Sequence, residues 1–197
     1  MSIVVEHEKR RRDILEKAVD VFMDEGYENV TIQKIADRCS ITRTTLYIYF
    51  KNKKDIFNYS IKQLLSGLEK DIAEVYKASG LSSVEKLTEV FSLILDRLQE
   101  NRRLLSVILN FLLYASKGDF SANNQVRRRT VKLRHFFANM VIEGIQAGEL
   151  AAMDVKIADD LLYSILESAI FRLTVLQRSS VKELKAAAAL AVQRLAV

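Results

Sequence analysis

One segment of the sequence, Thr42 to Lys53, combines the residue types that read and hold DNA. Its arginine can donate two hydrogen bonds to a guanine in the major groove, and its threonines offer hydroxyls with methyl groups suited to thymine. Tyrosines and lysines follow, and these groups suit the phosphates beside the groove. The base-reading candidates are Thr42, Arg43, Thr44 and Thr45, and the phosphate-binding candidates are Tyr47, Tyr49, Lys51 and Lys53.

Two aromatic residues in this segment also have a simpler interpretation. Tyr47 and Tyr49 could pack in the protein core instead of contacting DNA, because large aromatic side chains dominate core packing. Leu46 and Phe50, four residues apart, are expected to face the core of a small domain. The two interpretations of the tyrosines stay open at the level of sequence.

Three helical patterns position this segment as part of a helix-turn-helix. The first runs from about residue 8 to residue 25, the second begins at Thr31, and the third begins at Thr42. Both threonines are suited to cap a helix N-terminus. In this motif the second helix of the pair enters the major groove. We therefore expect a DNA-binding domain over residues 1–53.

The composition predicts an all-α fold. The 197 residues include no proline and only six glycines, whereas sheet-rich folds usually need both in their turns. Gly26 follows the first helical pattern, where a helix-ending glycine belongs. About nine helices are expected in all. The remaining patterns run at roughly 54–78, 82–100, 102–116, 123–147, 155–177 and 181–196, with loops at 117–122 and 148–154.

Several classes of protein and site are excluded. One cysteine, Cys39, allows neither an intramolecular disulfide nor a cysteine-built zinc site. The two histidines, His7 and His135, lie far apart in the sequence, so no metal site is expected. The most apolar stretch, 104–115, is shorter than the roughly 20 residues that span a bilayer, and no signal peptide precedes it. Without a phosphate loop or a catalytic pairing, we expect a cytoplasmic protein that is neither an enzyme nor dependent on a cofactor.

The charge of the chain is unevenly distributed. The net charge is +5, with basic runs at 9–12 and 31–54, whereas residues 13–28 carry six acids. A basic zone of this kind indicates an anionic partner that one face of the protein meets. A solvated helix surface would give the same pattern.

The residues around the basic zone resemble the TetR (TetR/AcrR) family of transcriptional regulators. The resemblance covers about residues 10–57, and spacing and residue type agree across three helices and two turns. It implies a TetR-like fold, with a three-helix DNA-binding domain followed by a C-terminal helical bundle. The pattern comprises Ile14, Ala18, Phe22, Gly26, Thr31, Ile35, Ala36, Ile41, Thr42, Leu46, Tyr47, Ile48, Tyr49, Phe50, Lys53 and Ile56.

The resemblance also implies roles for single residues. It gives base-facing positions to Arg43, Thr44, Thr45 and to Gln33 of the preceding helix, and phosphate-facing positions to Thr31, Tyr47, Tyr49 and Lys53. Two residues depart from the family pattern. Ser40 stands where the family commonly has glycine at the turn, and serine is less suited to positive φ. Thr44 stands where glycine is frequent, so the operator cannot be taken from a relative.

Residues 54–197 are expected to form a ligand-binding and dimerisation domain. The helix predicted at 102–116 is apolar nearly all round, which indicates a central place in a bundle. Side chains on this helix and its neighbours are candidates to line a cavity, although each could be an ordinary core or surface residue. The candidates are Asn110, Phe111, Tyr114, His135, Asn139 and Tyr163.

A second basic cluster comprises Arg127, Arg128, Arg129, Lys132 and Arg134. It could be a solvated face, attract an acidic ligand or the DNA flanks, or reach acidic residues on a neighbouring helix.

The last two helices carry apolar stripes that predict a subunit interface. Small residues in the stripes let helices approach closely, and the family resemblance implies a four-helix bundle between two subunits. Packing within one monomer is the alternative. The interface candidates are Leu162, Ala169, Leu173, Leu184, Ala188 and Ala191.

These expectations combine into a ligand-controlled repressor. A small-molecule effector would alter the helix at 54–78, change the separation of two reading heads and release operator DNA. A two-fold dimer carries two identical heads, so double-stranded operator DNA should be palindromic. The alternative is a DNA-binding protein without a small-molecule ligand, controlled by a protein partner.

Overall fold

The structure of the chain, a computed structural model, describes residues 3–115 and 120–197. Side chains are described for these residues except at 3–4, 63–65, 113–115, 120–127 and 129. The described residues form nine α-helices and no strand, so the all-α expectation is confirmed. The helices are α1 (Ile3–Asn29), α2 (Ile32–Arg38), α3 (Arg43–Tyr49), α4 (Lys53–Lys77), α5 (Ser83–Glu100), α6 (Arg102–Ala115), α7 (Phe120–Gln146), α8 (Val155–Thr174) and α9 (Lys182–Arg194).

Two helices begin earlier than the sequence pattern predicts. Helix α1 starts at Ile3 and not near residue 8, and α7 starts at Phe120, within the stretch predicted as a loop at 117–122. Residues 116–119 of that predicted loop lie outside the described residues. Neither early turn contains a proline or glycine that would stop the helix, and local propensity alone therefore allows both extensions. None of the helices in the described ranges is long and apolar enough to cross a bilayer.

The chain packs as two compact units. The first holds α1, α2, α3, the part of α4 up to Gly67, and Ser106–Tyr114 of α6. The second holds Leu68–Leu105 and helices α7, α8 and α9. The packing boundary in α4 thus lies at Gly67. The functional division expected between residues 53 and 54 stays a prediction.

An aromatic cluster fills the first unit. The rings of Phe22 and Phe57 lie 4.8 Å apart, and the ring of Phe111 lies 4.8 Å from Phe57 and 4.3 Å from Tyr27. Phe111 is only 6% exposed. Its ring therefore packs against those of Tyr27 and Phe57, and its place in the wall of a ligand cavity stays a prediction.

Helix α5 forms the centre of the second unit. A capping box starts it, since the Ser82 hydroxyl accepts from the Glu85 amide while the Glu85 carboxylate accepts from the Ser82 amide. Its apolar face is buried, and Phe91 stacks on Phe137 of α7 at 4.9 Å. The central place expected for the helix at 102–116 thus belongs to α5, because α6 gives Val107 and Phe111 to the first unit.

Gly26 bends α1 near its C-terminal end. Its φ of 75° and ψ of 155° fall in a region that only glycine adopts without strain. No atom of the described residues lies within 4 Å of the position that an added Cβ would take. The requirement for glycine is therefore conformational and not steric.

Replacing Gly26 with alanine should lower the free energy of unfolding by about 1–3 kcal/mol, the usual cost of forcing a side chain into such a conformation. Urea denaturation followed by circular dichroism measures the change. Gly67→Ala is the matched control, because Gly67 lies within helical α4 and an added Cβ would meet no described atom within 4 Å, so alanine should stabilise by about 0.5–1 kcal/mol. Equal stability of the two variants would contradict the assignment of strain to Gly26.

Candidate nucleic-acid interface

Threonine caps fix the start of both helices of the helix-turn-helix. The Thr31 hydroxyl accepts from the Lys34 amide at 3.2 Å, and the Thr42 hydroxyl accepts from the Thr45 amide at 3.1 Å. Both caps have extended backbone, as an N-cap requires. The predicted starts of α2 and α3 are confirmed. Thr31 and Thr42 therefore have a structural role whatever else they contact.

The turn between α2 and α3 passes through Ser40 in a left-handed conformation, with φ of 56°. The amide of Ser40 donates to the Asp37 carbonyl and that of Ile41 to the Ala36 carbonyl, each at 3.0 Å. These bonds hold the turn, so Ser40 bears the strain that a glycine would avoid. Beside it, Cys39 is buried with its Sγ 4.0 Å from the Ile14 carbonyl oxygen, and burial raises the pKa of this thiol.

Ser40→Gly should raise the free energy of unfolding by about 0.5–1 kcal/mol. The left-handed conformation destabilises a non-glycine residue by about 1–2 kcal/mol, and glycine removes this strain. Glycine also raises the entropy of the unfolded chain, which offsets about 0.5–1 kcal/mol of the gain. Ser40→Ala is the control, since it keeps the Cβ and should change stability little. Thermal unfolding of the three proteins tests this, and a less stable glycine variant would contradict the assignment of strain to this turn.

Helix α3 buries one face and exposes the other. Leu46 is fully buried and Phe50, just after the helix, is 2% exposed, as their spacing predicts. Arg43 and Thr44 are exposed, and Thr45 is half-buried with its hydroxyl 2.9 Å from that of Thr42. The exposed face therefore begins with the side chains predicted to read bases.

Ile48 is a surface residue of α3 that the sequence pattern did not single out as a site residue. It is 68% exposed and lies four residues after Thr44, so both side chains share the solvent-facing side of the helix. A large aliphatic side chain in that position is suited to contact a thymine methyl group. An isoleucine within a short helix resembles a core residue in sequence, and the only signal would have been its offset from Leu46 and Phe50.

The two tyrosines differ in their surroundings. Tyr47 is 47% exposed, so the core-packing interpretation does not hold for it. Tyr49 is half-buried, and its ring stacks on the ring of His7 with centroids 4.5 Å apart and planes at 27°. Its ring therefore contacts α1 at the edge of the exposed face.

The two lysines predicted to bind phosphate also differ. Lys51 is exposed after the end of α3. The Lys53 ammonium donates to the carbonyl oxygens of Tyr27 at 2.8 Å and Glu28 at 3.1 Å and lies 4.5 Å from the Tyr27 ring centroid. Burial lowers the pKa of this ammonium. Lys53 thus ties the end of α1 to the start of α4 with two of its three protons, and its contact with phosphate stays a prediction.

Much of the positive charge of α2 is paired with acids of α1. Lys34 contacts Glu25, and Arg38 contacts Asp24 at 3.1 Å. Gln33, the predicted base-facing residue of α2, is exposed and donates to its helix neighbour Asp37 at 2.6 Å. The uneven charge along the sequence is therefore partly an internal pairing, and the exposed cations of the candidate interface lie on α3 and just after it.

Known proteins share this arrangement. Residues 14–59 match the bacterial regulatory proteins of the tetR family. A fatty acid metabolism regulator protein of Bacillus subtilis is 28% identical over 166 residues, which cover 80% of this chain and 79% of the relative. This chain is a TetR-family transcriptional regulator.

Solved structures with the TetR-type fold match nearly the whole chain. A TetR transcription regulator from Haloarcula marismortui has a TM-score of 0.81 at 21% identity, covering 96% of this chain and 97% of its own. FadR from Bacillus subtilis, in complex with stearoyl-CoA, has a TM-score of 0.73 at 22% identity, covering 94% and 97%. At these identities the similarity establishes the fold.

The residues predicted to line a ligand cavity in this TetR-family chain are not gathered around one cavity, as far as their side chains are described. Asn110 and Asn139 are exposed, and the side chain of Tyr114 lies outside the described residues. Tyr163 is half-buried, with its hydroxyl 3.4 Å from that of Thr130. Among the five candidates whose side chains the structure describes, only His135 lines a groove of about 420 Å³ between α7 and α8. The groove is lined by Val131, Arg134, His135, Ala138, Val155, Lys156 and Asp159.

The second basic cluster reaches acidic residues on neighbouring helices, one of the interpretations that the sequence left open. Arg134 donates to Asp159 at 2.7 Å and to Asp160, and Lys132 donates to Glu69 at 3.0 Å. Arg128 is exposed, while the side chains of Arg127 and Arg129 lie outside the described residues. Arg134 and Lys132 therefore hold α7 to α8 and α4.

The residues predicted to form the TetR-type dimer interface lie inside the monomer. Five of the six are at most 5% exposed and belong to the core of the second unit, and Ala191 is half-buried. They cannot form the contact surface of a second subunit, because α5 and α7 already cover those on α8, and α5 and α8 cover those on α9. The prediction is corrected for Leu162, Ala169, Leu173, Leu184 and Ala188.

A different stripe on α8 is exposed. Its large apolar residues are 46–69% exposed, and the stripe repeats at intervals of four and three residues, the pattern of a helix seam. Two serines lie at its middle. We call this set the α8 stripe: Ile157, Leu161, Ser164, Ser168, Phe171 and Val175, of which Val175 caps the helix.

Proposed function

We propose that this TetR-family regulator is a cytoplasmic, homodimeric repressor that binds a palindromic operator and is released by a fatty acyl-CoA. The observation that supports DNA binding most directly is the exposed face of α3. A capped helix with a buried opposite face presents Arg43, Thr44, Tyr47 and Ile48 together to solvent. A surface of this composition fits a major groove, where arginine reads guanine and apolar groups contact thymine methyls.

Dimerisation is supported by the α8 stripe. Monomers seldom leave such a row of large apolar side chains in water, and exposed patches of this kind mark protein interfaces. The same stripe on a second copy would be self-complementary about a two-fold axis. The serines at its middle are small enough to let two α8 helices approach closely. The Ser164 hydroxyl already donates to the Leu161 carbonyl at 2.7 Å, so its burial would leave no unpaired donor.

The effector class is supported by one comparison of sequence and one of structure. The fatty acid metabolism regulator of Bacillus subtilis is similar along four fifths of this chain, beyond the DNA-binding domain. FadR, which shares the fold, was solved with stearoyl-CoA. An acyl-CoA would act by binding the DNA-releasing conformation more tightly than the DNA-binding one.

Operator DNA selected from random sequence gives the probe for testing this proposal. Stearoyl-CoA should weaken operator binding at fixed salt by about 5- to 150-fold, the usual range of coupling between two sites. Coenzyme A alone is the control, because it lacks the acyl chain, and free stearate is the control for non-specific detergent action. Unchanged affinity in stearoyl-CoA would contradict the effector class and leave the DNA-binding assignment intact.

Control by a protein partner is the second candidate. It is favoured by one observation: the groove between α7 and α8 is a cleft at the surface and not a closed cavity. If selected operator DNA binds tightly and no acyl-CoA of any chain length releases it, a protein partner is the better explanation.

A further inference from the structure

The N-terminal part of α1 reaches the end of the recognition helix. Helix α1 extends about three turns before Ile14, the first buried residue of the described core. In this extension the ring of His7 stacks on the ring of Tyr49 at 4.5 Å. The extension is therefore docked on α3 at a residue expected to face phosphate.

A second contact one turn later holds the same face of α1. Arg11 follows His7 by four residues, so the two side chains are neighbours on the helix surface. The Arg11 guanidinium carbon lies 4.0 Å from the ring centroid of Tyr59 and 5.3 Å from that of Phe50. Two successive turns of α1 thus pack against aromatic rings at the end of α3 and on α4.

We propose that His7 is a positioning residue for DNA binding, which holds the Tyr49 phenol in place before DNA arrives. A tyrosine at the edge of an exposed helix would otherwise change rotamer freely, and binding would have to order it. Stacking against a ring supplied by α1 removes that cost in advance, as preorganisation does in general. This inference rests on the proposed placement of α3 in the major groove.

The expected effect is moderate and has a definite form. Ordering one side chain on binding lowers affinity by roughly 2- to 10-fold, so His7→Ala should weaken binding by that factor. The affinity for the operator duplex and the affinity for a scrambled duplex should fall by the same factor, because phosphate contacts carry no sequence information. The slope of log affinity against log salt should not change, since the Tyr49 hydroxyl is uncharged and releases no counterion.

A double-mutant cycle tests the role of the ring. His7→Phe keeps a stacking ring without the imidazole and should bind like the unmodified chain. In a Tyr49→Phe background there is no hydroxyl to position, so His7→Ala should then cost almost nothing. Val5→Ala is the matched control, because it truncates another exposed side chain of the same extension.

Three results would overturn the inference. One is a His7→Phe variant as weak as His7→Ala, and another is an undiminished effect of His7→Ala in the Tyr49→Phe background. The third is a salt slope reduced by about 0.9, which would mean that His7 itself neutralises a phosphate. Arg43→Ala, measured in parallel, separates the two proposals. An unchanged base preference in that variant would contradict the placement of α3 in the major groove. Failure of the double-mutant cycle alone would contradict only the role of His7.

Discussion

Replacing Phe171 with glutamate is expected to leave the chain folded but monomeric, and to abolish tight operator binding. Phe171 is 53% exposed in the monomer, so a charge there does not disturb the core. In the proposed dimer the same position lies within the α8 stripe, where an unpaired carboxylate would lose its water. Separating two reading heads removes the gain from bivalency, and the apparent affinity should fall by about 10²- to 10⁴-fold.

Light scattering and operator titration measure the two effects separately. Gln146→Glu is the matched control, because it adds the same charge at an exposed position of α7 outside the stripe. Circular dichroism checks that each variant keeps the helical content of the unmodified chain. A dimeric Phe171→Glu protein with full operator affinity would remove the α8 stripe from the interface.

Replacing Arg43 with alanine is expected to relax base preference. Arg43 is exposed in the first turn of α3, the part of a recognition helix that contacts base edges. Loss of a bidentate contact to guanine should reduce the free energy of discrimination between operator and scrambled duplex by about 1–3 kcal/mol. Binding to the scrambled duplex should change far less.

Lys51→Ala is the control for Arg43→Ala, since it removes a cation just beyond the same helix. It should weaken binding to both duplexes alike and reduce the salt slope by about 0.9 for each lost phosphate contact. Lys53 is a poor control, because its ammonium also bonds two carbonyls of the first unit, and its loss would mix stability with binding. An Arg43→Ala variant that weakens both duplexes equally would show that α3 is misplaced.

The parts of the fold that could be predicted are those with a local physical cause. Thr31 and Thr42 cap helices because a hydroxyl there satisfies amides left unpaired by the first turn. Gly26 interrupts the helical conformation of α1 where the sequence predicts a helix-ending glycine, although α1 resumes and continues to Asn29. Leu46 and Phe50 face the core because their spacing follows the helix period. Each of these features is determined within a few residues of chain.

The parts that could not be predicted depend on distant neighbours. Helix α8 is apolar on two sides, and its sequence does not show which side meets α5 and which meets solvent. The predicted interface therefore contains Leu162 and Leu173, which are buried, in place of Leu161 and Phe171, which are exposed. The sequence around Lys53 likewise predicts a phosphate ligand and not a structural contact. Its ammonium donates to the carbonyls of Tyr27 and Glu28, which lie too far back along the chain for the local pattern to indicate them.

The burial of Cys39 gives the DNA-binding unit a built-in chemical reporter. It is the only thiol in the chain, it is 8% exposed, and burial raises its pKa, so the reactive thiolate is scarce in the closed state. A maleimide can then attack only when this unit opens, and the labelling rate measures the opening equilibrium of that unit alone. Operator DNA should slow the labelling by the factor with which it stabilises the closed unit. Occupancy of the reading heads could thus be followed by the mass that the maleimide adds, without introducing a second thiol.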